Sequence, residues 1–276
     1  MNSEDPPDLL DEVALGALLA DGDEHFRVEV LATCESTNTL LVERSANGAP
    51  HASVLACEHQ THGRGRRGAR WVSSPGGSLV FSLLWRFERG LADLPGLSLA
   101  VAVGVARALD VDVARKFDSV GGPGVRLKWP NDLLFEGRKL GGILIEASEG
   151  PDGGSAAVIG VGLNVKLDQL VRSQVEVPVA DLAEMGRAPS RTQLLACMLL
   201  HLAPVLRQFE LQGFEPLRQE WMRRHAWQDR EVALEVSGRR VARGEAVGVD
   251  TDGALLLRSA GNVERYHSGE LSLRAS

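Results

Sequence analysis

A chain of 276 residues with 44% apolar side chains has material for one large buried core and a small appendage. Its 30 Lys and Arg against 37 Asp and Glu give a formal net charge of −7, the wrong sign for a protein that coats nucleic acid. Cys34, Cys57 and Cys197 are odd in number and far apart, which argues against a disulfide framework or a CxxC zinc site and for a reducing compartment.

Residues 1–24 hold eight carboxylates, no Lys or Arg, and no basic, cleavable leader. Asp8 to Ala20 reads as an amphipathic helix with Leu9, Val13 and Leu18 toward a core, or equally as a frayed acidic leader. Phe26 to Ala32 alternates as a strand. In Glu35-Ser36-Thr37-Asn38-Thr39, Ser36 reads as the N-cap of the helix that follows. A helix N-terminus rich in hydroxyls also suits a polar, uncharged ligand head.

Ser53 to His59 is a strand leading into Gln60-Thr61-His62-Gly63-Arg64-Gly65-Arg66-Arg67-Gly68-Ala69-Arg70-Trp71. Arginine offers a flat, permanently charged fork that matches carboxylate and phosphate oxygens. Glycine lets the backbone turn sharply beside a ligand. The segment is therefore an anion-gripping loop in one reading and a solvated basic surface loop in the other. Its Gly63-x-Gly65-x-x-Gly68 spacing fits the dinucleotide fingerprint, but turn and strand chemistry follows where that fold opens a helix, so a Rossmann site is rejected. Like charges and little burial predict a loop that is disordered without ligand.

Gly77 to Phe87 alternates Leu79, Phe81, Leu83 and Trp85 as a strand, and Asp93 to about Phe117 is the longest helical pattern. Its apolar run from Leu97 to Leu109, broken by Gly104 and Arg107, is too short and polar to span a bilayer. Two strand-like runs flank Glu136-Gly137, a hairpin pattern that pairs Lys139 with Leu134 and sets both near Trp129-Pro130-Asn131-Asp132. Ala156 to Val165 suits a strand buried on both faces. Its Asn164 needs a partner, either a turn backbone or a ligand. Residues 165–187 read as irregular, Ser190 to Gln212 as a helix capped by Ser190, and Phe214 to His225 as another. From Trp227 short strands follow: Glu231–Ser237, Arg240–Gly248, Ala254–Arg258 and Val263–His267, a texture that suggests a small SH3-like barrel.

Together these segments resemble the biotin protein ligase family. Glu35-Ser36-Thr37-Asn38 fits its Ser-Thr-Asn motif and Gly63-Arg64-Gly65-Arg66-Arg67-Gly68 its arginine loop. Lys128-Trp129-Pro130-Asn131-Asp132-Leu133 through Lys139-Leu140-Gly141-Gly142-Ile143 fits the second hallmark. Gly160-Val161-Gly162-Leu163-Asn164 and Gly269-Glu270-Leu271-Ser272-Leu273-Arg274 also fit, in order, from about residue 30 to the end. Bifunctional members carry a winged helix before the Ser-Thr-Asn motif. The short, acidic stretch here does not fit one, so the expectation is the monofunctional type.

The resemblance implies an α+β fold, with a mixed or antiparallel sheet flanked by helices. Its parts are an acidic segment (1–25), a catalytic domain (26–226) and a C-terminal SH3-like β-barrel (227–276). It implies ATP-dependent activation of biotin to biotinyl-5′-adenylate, then transfer to a lysine of a biotin carboxyl carrier protein domain. Catalytic roles fall on Arg64, Arg66 and Lys139. Biotin falls to Ser36, Thr37, Asn38, Gln60, Arg64, Gly65, Arg66, Lys139 and Gly142. ATP falls to Arg66, Arg67, Trp71, Lys128, Asn131, Asp132 and Asn164, with Trp71 on adenine. No fixed metal site is implied; Mg²⁺ accompanies ATP, and Asp132 is the side chain offered to it. A cytoplasmic protein without nucleic-acid or membrane partners is expected, as monomer or homodimer. The rival readings are a lipoate or octanoate ligase of the same fold, a nucleic-acid-binding regulator and a catalytically silent biotin sensor.

Overall fold

The computed structural model describes residues 8–116, 124–150, 153–186, 190–269 and 271–275; residues 1–7 of the acidic segment and Glu270 of the last motif lie outside them. The chain runs α1 (Glu12–Leu19), β1 (Arg27–Cys34), α2 (Thr37–Ala46), β2 (Ser53–Gln60), β3 (Ser78–Phe87) and α3 (Leu97–Lys116). It continues β4 (Arg126–Lys128), β5 (Asp132–Phe135), β6 (Arg138–Glu149), β7 (Ser155–Asn164), α4 (Gln169–Ser173), α5 (Arg191–Gln212) and α6 (Glu215–Arg224). The last elements are β8 (Glu231–Val236), β9 (Arg239–Val249), β10 (Leu255–Ser259), β11 (Asn262–Tyr266) and β12 (Ser272–Ala275).

Seven strands form one mixed sheet in the order β1-β2-β3-β7-β6-β5-β4, parallel between β1 and β2 and antiparallel elsewhere. Period-two alternation sorts its side chains. Leu79, Phe81, Leu83 and Trp85 enter the main core with Ala157, Ile159, Val161 and Leu163, beneath α3 and α5. Leu84, Ala156 and Val158 point to the other face and meet Leu41 of α2. Because helices cover both faces, β3 and β7 are apolar almost throughout.

α5 is long and apolar enough to cross a bilayer, yet Leu195, Leu199, Leu202 and Leu206 are fully buried in this core. It is the central helix of a packed layer. α3 begins at Leu97, not Asp93, because Leu91–Asp93 is a 3₁₀ turn and Gly96 follows at φ +88. A Cβ on Gly96 would stand 2.7 Å from Phe214 Cβ, so the junction needs glycine.

The N-terminal helix exists, but the expected face is wrong. Leu10, Leu15 and Leu19 are buried, while Leu9, Val13 and Leu18 are exposed. Asp11 caps the helix by accepting from Ala14 N, so Leu9 precedes the helix, and the i, i+4 stripe that packs on α5 is Leu15–Leu19. Ser190 makes no capping bond through its side chain; the Asp8 carboxylate accepts from Arg191 N at 2.7 Å in its place. The stretch expected to be irregular contains α4, capped by Asp168.

The C-terminal strands form an antiparallel sheet, β11-β10-β9-β8-β12. Turns Glu136-Gly137, Ser237-Gly238 and Ala260-Gly261 all place both residues at positive φ, the primed geometry that matches strand twist. β12, absent from the expected strands, pairs with β8. Val232, Leu234, Leu255 and Leu273 join the main core, so this sheet packs directly on the larger unit.

His225 lies at that junction, 3% exposed and stacked on Trp221 at 4.7 Å. Burial pushes its pKa from 6.5 down to about 4, against smaller opposing pulls from Gln228 and Asp229. Between those values the unfolded chain binds the proton and the folded one does not. Stability is therefore complete above pH 6.5 and falls as pH drops toward 4, by up to about 3 kcal/mol from this group. Urea unfolding of wild type and His225→Gln across that range should show a shallower pH slope in the variant.

Candidate active site

The turn from β1 into α2 builds one wall of a cavity. Ser36 Oγ accepts from Thr39 N at 3.4 Å, a helix cap as expected. Thr37 donates through its backbone N–H (2.7 Å) and hydroxyl (3.2 Å) to Gln60 Oε1 at the end of β2. Ser82 Oγ on β3 donates to Asn38 Oδ1 at 2.6 Å and lies 2.8 Å from Thr37 Oγ1. Asn38 packs against Gly160 of β7, where a Cβ would stand 2.1 Å from its Oδ1. These groups are buried and hydrogen-bonded, hence rigid.

The arginine loop is a closed hairpin. Gly65 N donates to Ala69 O at 2.7 Å, Trp71 N to Gly63 O at 2.9 Å, and Arg64 bridges Arg70. Like-charge repulsion is offset because two arginines have acceptors. Arg64 forms a bidentate pair with Glu146 of β6 (2.9 and 3.3 Å). Arg66 donates to the carbonyls of Ser268 (3.1 Å) and Gly269 (2.7 Å) between β11 and β12 and to Asn131 Oδ1 (3.4 Å). Burial and the adjacent Arg67 pull the Arg66 pKa below its ordinary value, partly countered by Asp132, so an anion would be welcome there. Trp71 follows the loop and lays its indole over Gly162 of β7.

The opposite wall is the β4–β6 unit, with Leu134 paired to Lys139 as the hairpin pattern required. Trp129-Pro130 is a cis peptide at the corner. Asn131 is fixed by Nδ2 donating to Ile143 O at 2.8 Å. Asp132 stands between two ammonium groups, Lys139 Nζ at 2.7 Å and Lys128 Nζ at 3.0 Å. Burial opposes its charge, but Lys139 and Lys128 together hold the carboxyl below the usual range. Each oxygen already faces a cation, which makes Asp132 a poor Mg²⁺ ligand. Among the described residues no group of three His, Cys, Asp or Glu gathers elsewhere to hold one.

All the sequence-selected residues line one cavity of about 840 Å³: Ser36, Thr37, Asn38, Gln60, Arg64, Gly65, Arg66, Arg67, Trp71, Lys128, Asn131, Asp132, Lys139, Gly142 and Asn164. Two sit there otherwise than foreseen. Asn164 spends its amide on the carbonyls of Lys139 (3.2 Å) and Ala180 (3.0 Å), the backbone alternative left open by the sequence. Arg64 has its fork paired with Glu146. Sequence reading missed Ser82, Glu146, Gly160 and Gly162 as parts of the site, and Trp227, over which Lys128 Nζ lies 5.4 Å from the ring centroid. A hydroxyl within the apolar β3 run and a carboxylate ending the apolar β6 run were the available signals.

Comparison with known proteins fits this geometry. Residues 30–164 match the model of the biotin/lipoate A/B protein ligase family, and residues 229–274 that of the biotin protein ligase C-terminal domain. The bifunctional ligase/repressor BirA of Salmonella typhimurium is 35% identical over 272 residues, 99% of this chain and 81% of that one. The biotin–[acetyl-CoA-carboxylase] ligase of Mycobacterium tuberculosis is 31% identical, with 96% of each chain covered. A biotin protein ligase from Aquifex aeolicus, solved in complex with biotin and ATP, superposes with a TM-score of 0.73 at 26% identity, over 91% of this chain and 99% of that one. The chain belongs to the biotin protein ligase family.

Proposed function

We propose that this protein activates biotin with ATP to biotinyl-5′-adenylate and transfers the biotinyl group to a lysine of a biotin carboxyl carrier protein domain. One observation carries the reading: a single cavity joins a rigid, uncharged polar wall to a cluster of cations. Ser36, Thr37, Asn38 and Gln60 suit the neutral ureido ring, and Trp71 suits adenine. Arg66, Lys139 and the Gly65 backbone suit the place where the reacting groups meet. Gly142 leaves Lys139 room there, and Arg67, Lys128, Asn131, Asp132 and Asn164 frame the nucleotide side.

In the first step a biotin carboxylate oxygen bonds to the α-phosphorus as the bond to pyrophosphate breaks. Two unit charges 4 Å apart repel by ~4 kcal/mol at an effective dielectric near 20, so fixed cations are needed where they meet. ATP arrives as its magnesium complex, the metal travelling with the substrate. In the second step a neutral lysine amine bonds to the acyl carbon and AMP leaves. Asp132, kept ionised by its two lysines, tethers Lys139 throughout.

The domain division at residues 25 and 226, closure of the C-terminal sheet as an SH3-like barrel and a cytoplasmic location complete the proposal. Nucleic acid is not among the proposed partners; the net charge of −7 supports leaving it out. Mass spectrometry of the protein incubated with Mg-ATP and a mixture of biotin, lipoate and octanoate tests the reading. A retained biotinyl-adenylate is expected, whereas a lipoyl- or octanoyl-adenylate, or none, would refute it.

The Trp71 assignment has its own test. A Cβ at position 162 would stand 2.5 Å from Trp71 Cε2, so Gly162→Ala must lift the indole off β7. ATP affinity measured by calorimetry should fall by about 1–3 kcal/mol, the usual cost of overpacking, with biotin affinity nearly unchanged.

A further inference from the structure

We propose that Glu146 is a positioning residue for this reaction, tying the arginine loop and the ring-binding wall into one hydrogen-bonded unit. Its Oε1 accepts from Arg64 Nη2 at 2.9 Å. Its Oε2 accepts from Arg64 Nη1 at 3.3 Å and from Asn38 Nδ2 at 3.0 Å. Arg64 Nη1 also donates to Thr39 Oγ1 at 3.1 Å, in the first turn of α2. One carboxylate thus holds two segments that the chain keeps 26 residues apart.

The Asn38 amide has no freedom left. Nδ2 donates to Glu146 and to Leu144 O (3.2 Å), Oδ1 accepts from Ser82, and the group rests on Gly160. The Arg64 fork is spent on a planar bidentate partner, the geometry its guanidinium prefers. Arg64 therefore acts through the loop it anchors, which leaves Arg66 and Lys139 to face the reacting oxygens. The pair is partly exposed, 48% for Arg64 and 29% for Glu146, so its effect is a bias on loop position and not a pillar of the fold.

The inference rests on the ligase reading for its catalytic consequence, but its structural half stands without ligand. Glu146→Gln keeps the shape and an acceptor for Asn38, losing the charge that holds Arg64. Glu146→Ala loses both. In ligand-free protein, trypsin cleavage after Arg66, Arg67 or Arg70 should be about fivefold faster in Glu146→Gln, the scale of an exposed ion pair. Preformed biotinyl-adenylate should be lost from this variant faster by a similar factor. Glu146→Ala should add a rise in the KM for biotin of about tenfold, one lost hydrogen bond to a charged acceptor. Arg64→Gln should match Glu146→Gln in cleavage and adenylate loss, and the double variant should be no worse than either. Unchanged cleavage in Glu146→Gln, or additive losses in the double variant, would overturn the proposal. A wild-type protein that makes no biotinyl-adenylate would sink the ligase reading, while the cleavage comparison would still decide the anchor.

Discussion

Replacing Lys139 by methionine is expected to slow biotin-dependent ATP–pyrophosphate exchange by about 30- to 1,000-fold, equivalent to ~2–4 kcal/mol of lost transition-state stabilisation. The fold should survive, because the Lys139 backbone holds the neighbouring segments and Asp132 retains Lys128. Its N–H donates to Pro178 O at 2.9 Å, and its carbonyl accepts from Ala180 N at 2.9 Å and Asn164 Nδ2 at 3.2 Å. Methionine keeps the stem and removes only the ammonium. Asp132 then keeps a single cation, Lys128 at 3.0 Å, and its pKa should rise from its lowered value. The loss should fall mainly on kcat, since the charge being neutralised peaks as carboxylate and phosphate close. Near-normal exchange in a folded Lys139→Met protein would remove Lys139 from the chemistry.

What the sequence conveyed about this site was chemistry repeated at fixed places; what it withheld was pairing. Lys139 opposite Leu134 was legible because a two-residue turn dictates register. The strand alternation of β3 was legible because each of its faces meets a different layer. Arg64 and Arg66 look equivalent in the loop, yet one meets Glu146 and the other the carbonyls of Ser268 and Gly269, more than 80 and 200 residues away. No local pattern encodes that choice. The N-terminal helix failed for a related reason. Apolar residues at 9, 13 and 18 suit a stripe as well as those at 10, 15 and 19, and α5 decides which is buried. Likewise Ser190 is a good cap by type, but Asp8 arrives from the far end of the chain and takes the N–H.

That same arrival produces the largest expected effect on stability. Arg191 is fully buried: Nε donates to Asp8 O at 2.7 Å, Nη1 to Ser78 O at 2.9 Å, and Nη2 to Glu58 Oε2 at 2.6 Å and to Asp8 O. Glu58 uses its other oxygen to accept from Leu10 N at 2.6 Å. One guanidinium thus joins the entry segment, β2, β3 and α5. Arg191→Met would leave the buried Glu58 carboxylate without its cation and the carbonyls of Asp8 and Ser78 without the guanidinium's donors, a loss of about 3–5 kcal/mol. Against a total of roughly 5–15 kcal/mol that is a large share, and the melting temperature should fall by roughly 10 °C. The double variant Glu58→Leu/Arg191→Met should recover much of the loss, because an apolar pair of similar volume does not strand a charge. Urea unfolding of the two singles and the double measures this coupling. Were Arg191→Met to cost under ~1 kcal/mol, within the range of an exposed ion pair, water would have to reach Glu58 readily, and the entry segment would not be the firmly docked strap its hydrogen bonds describe.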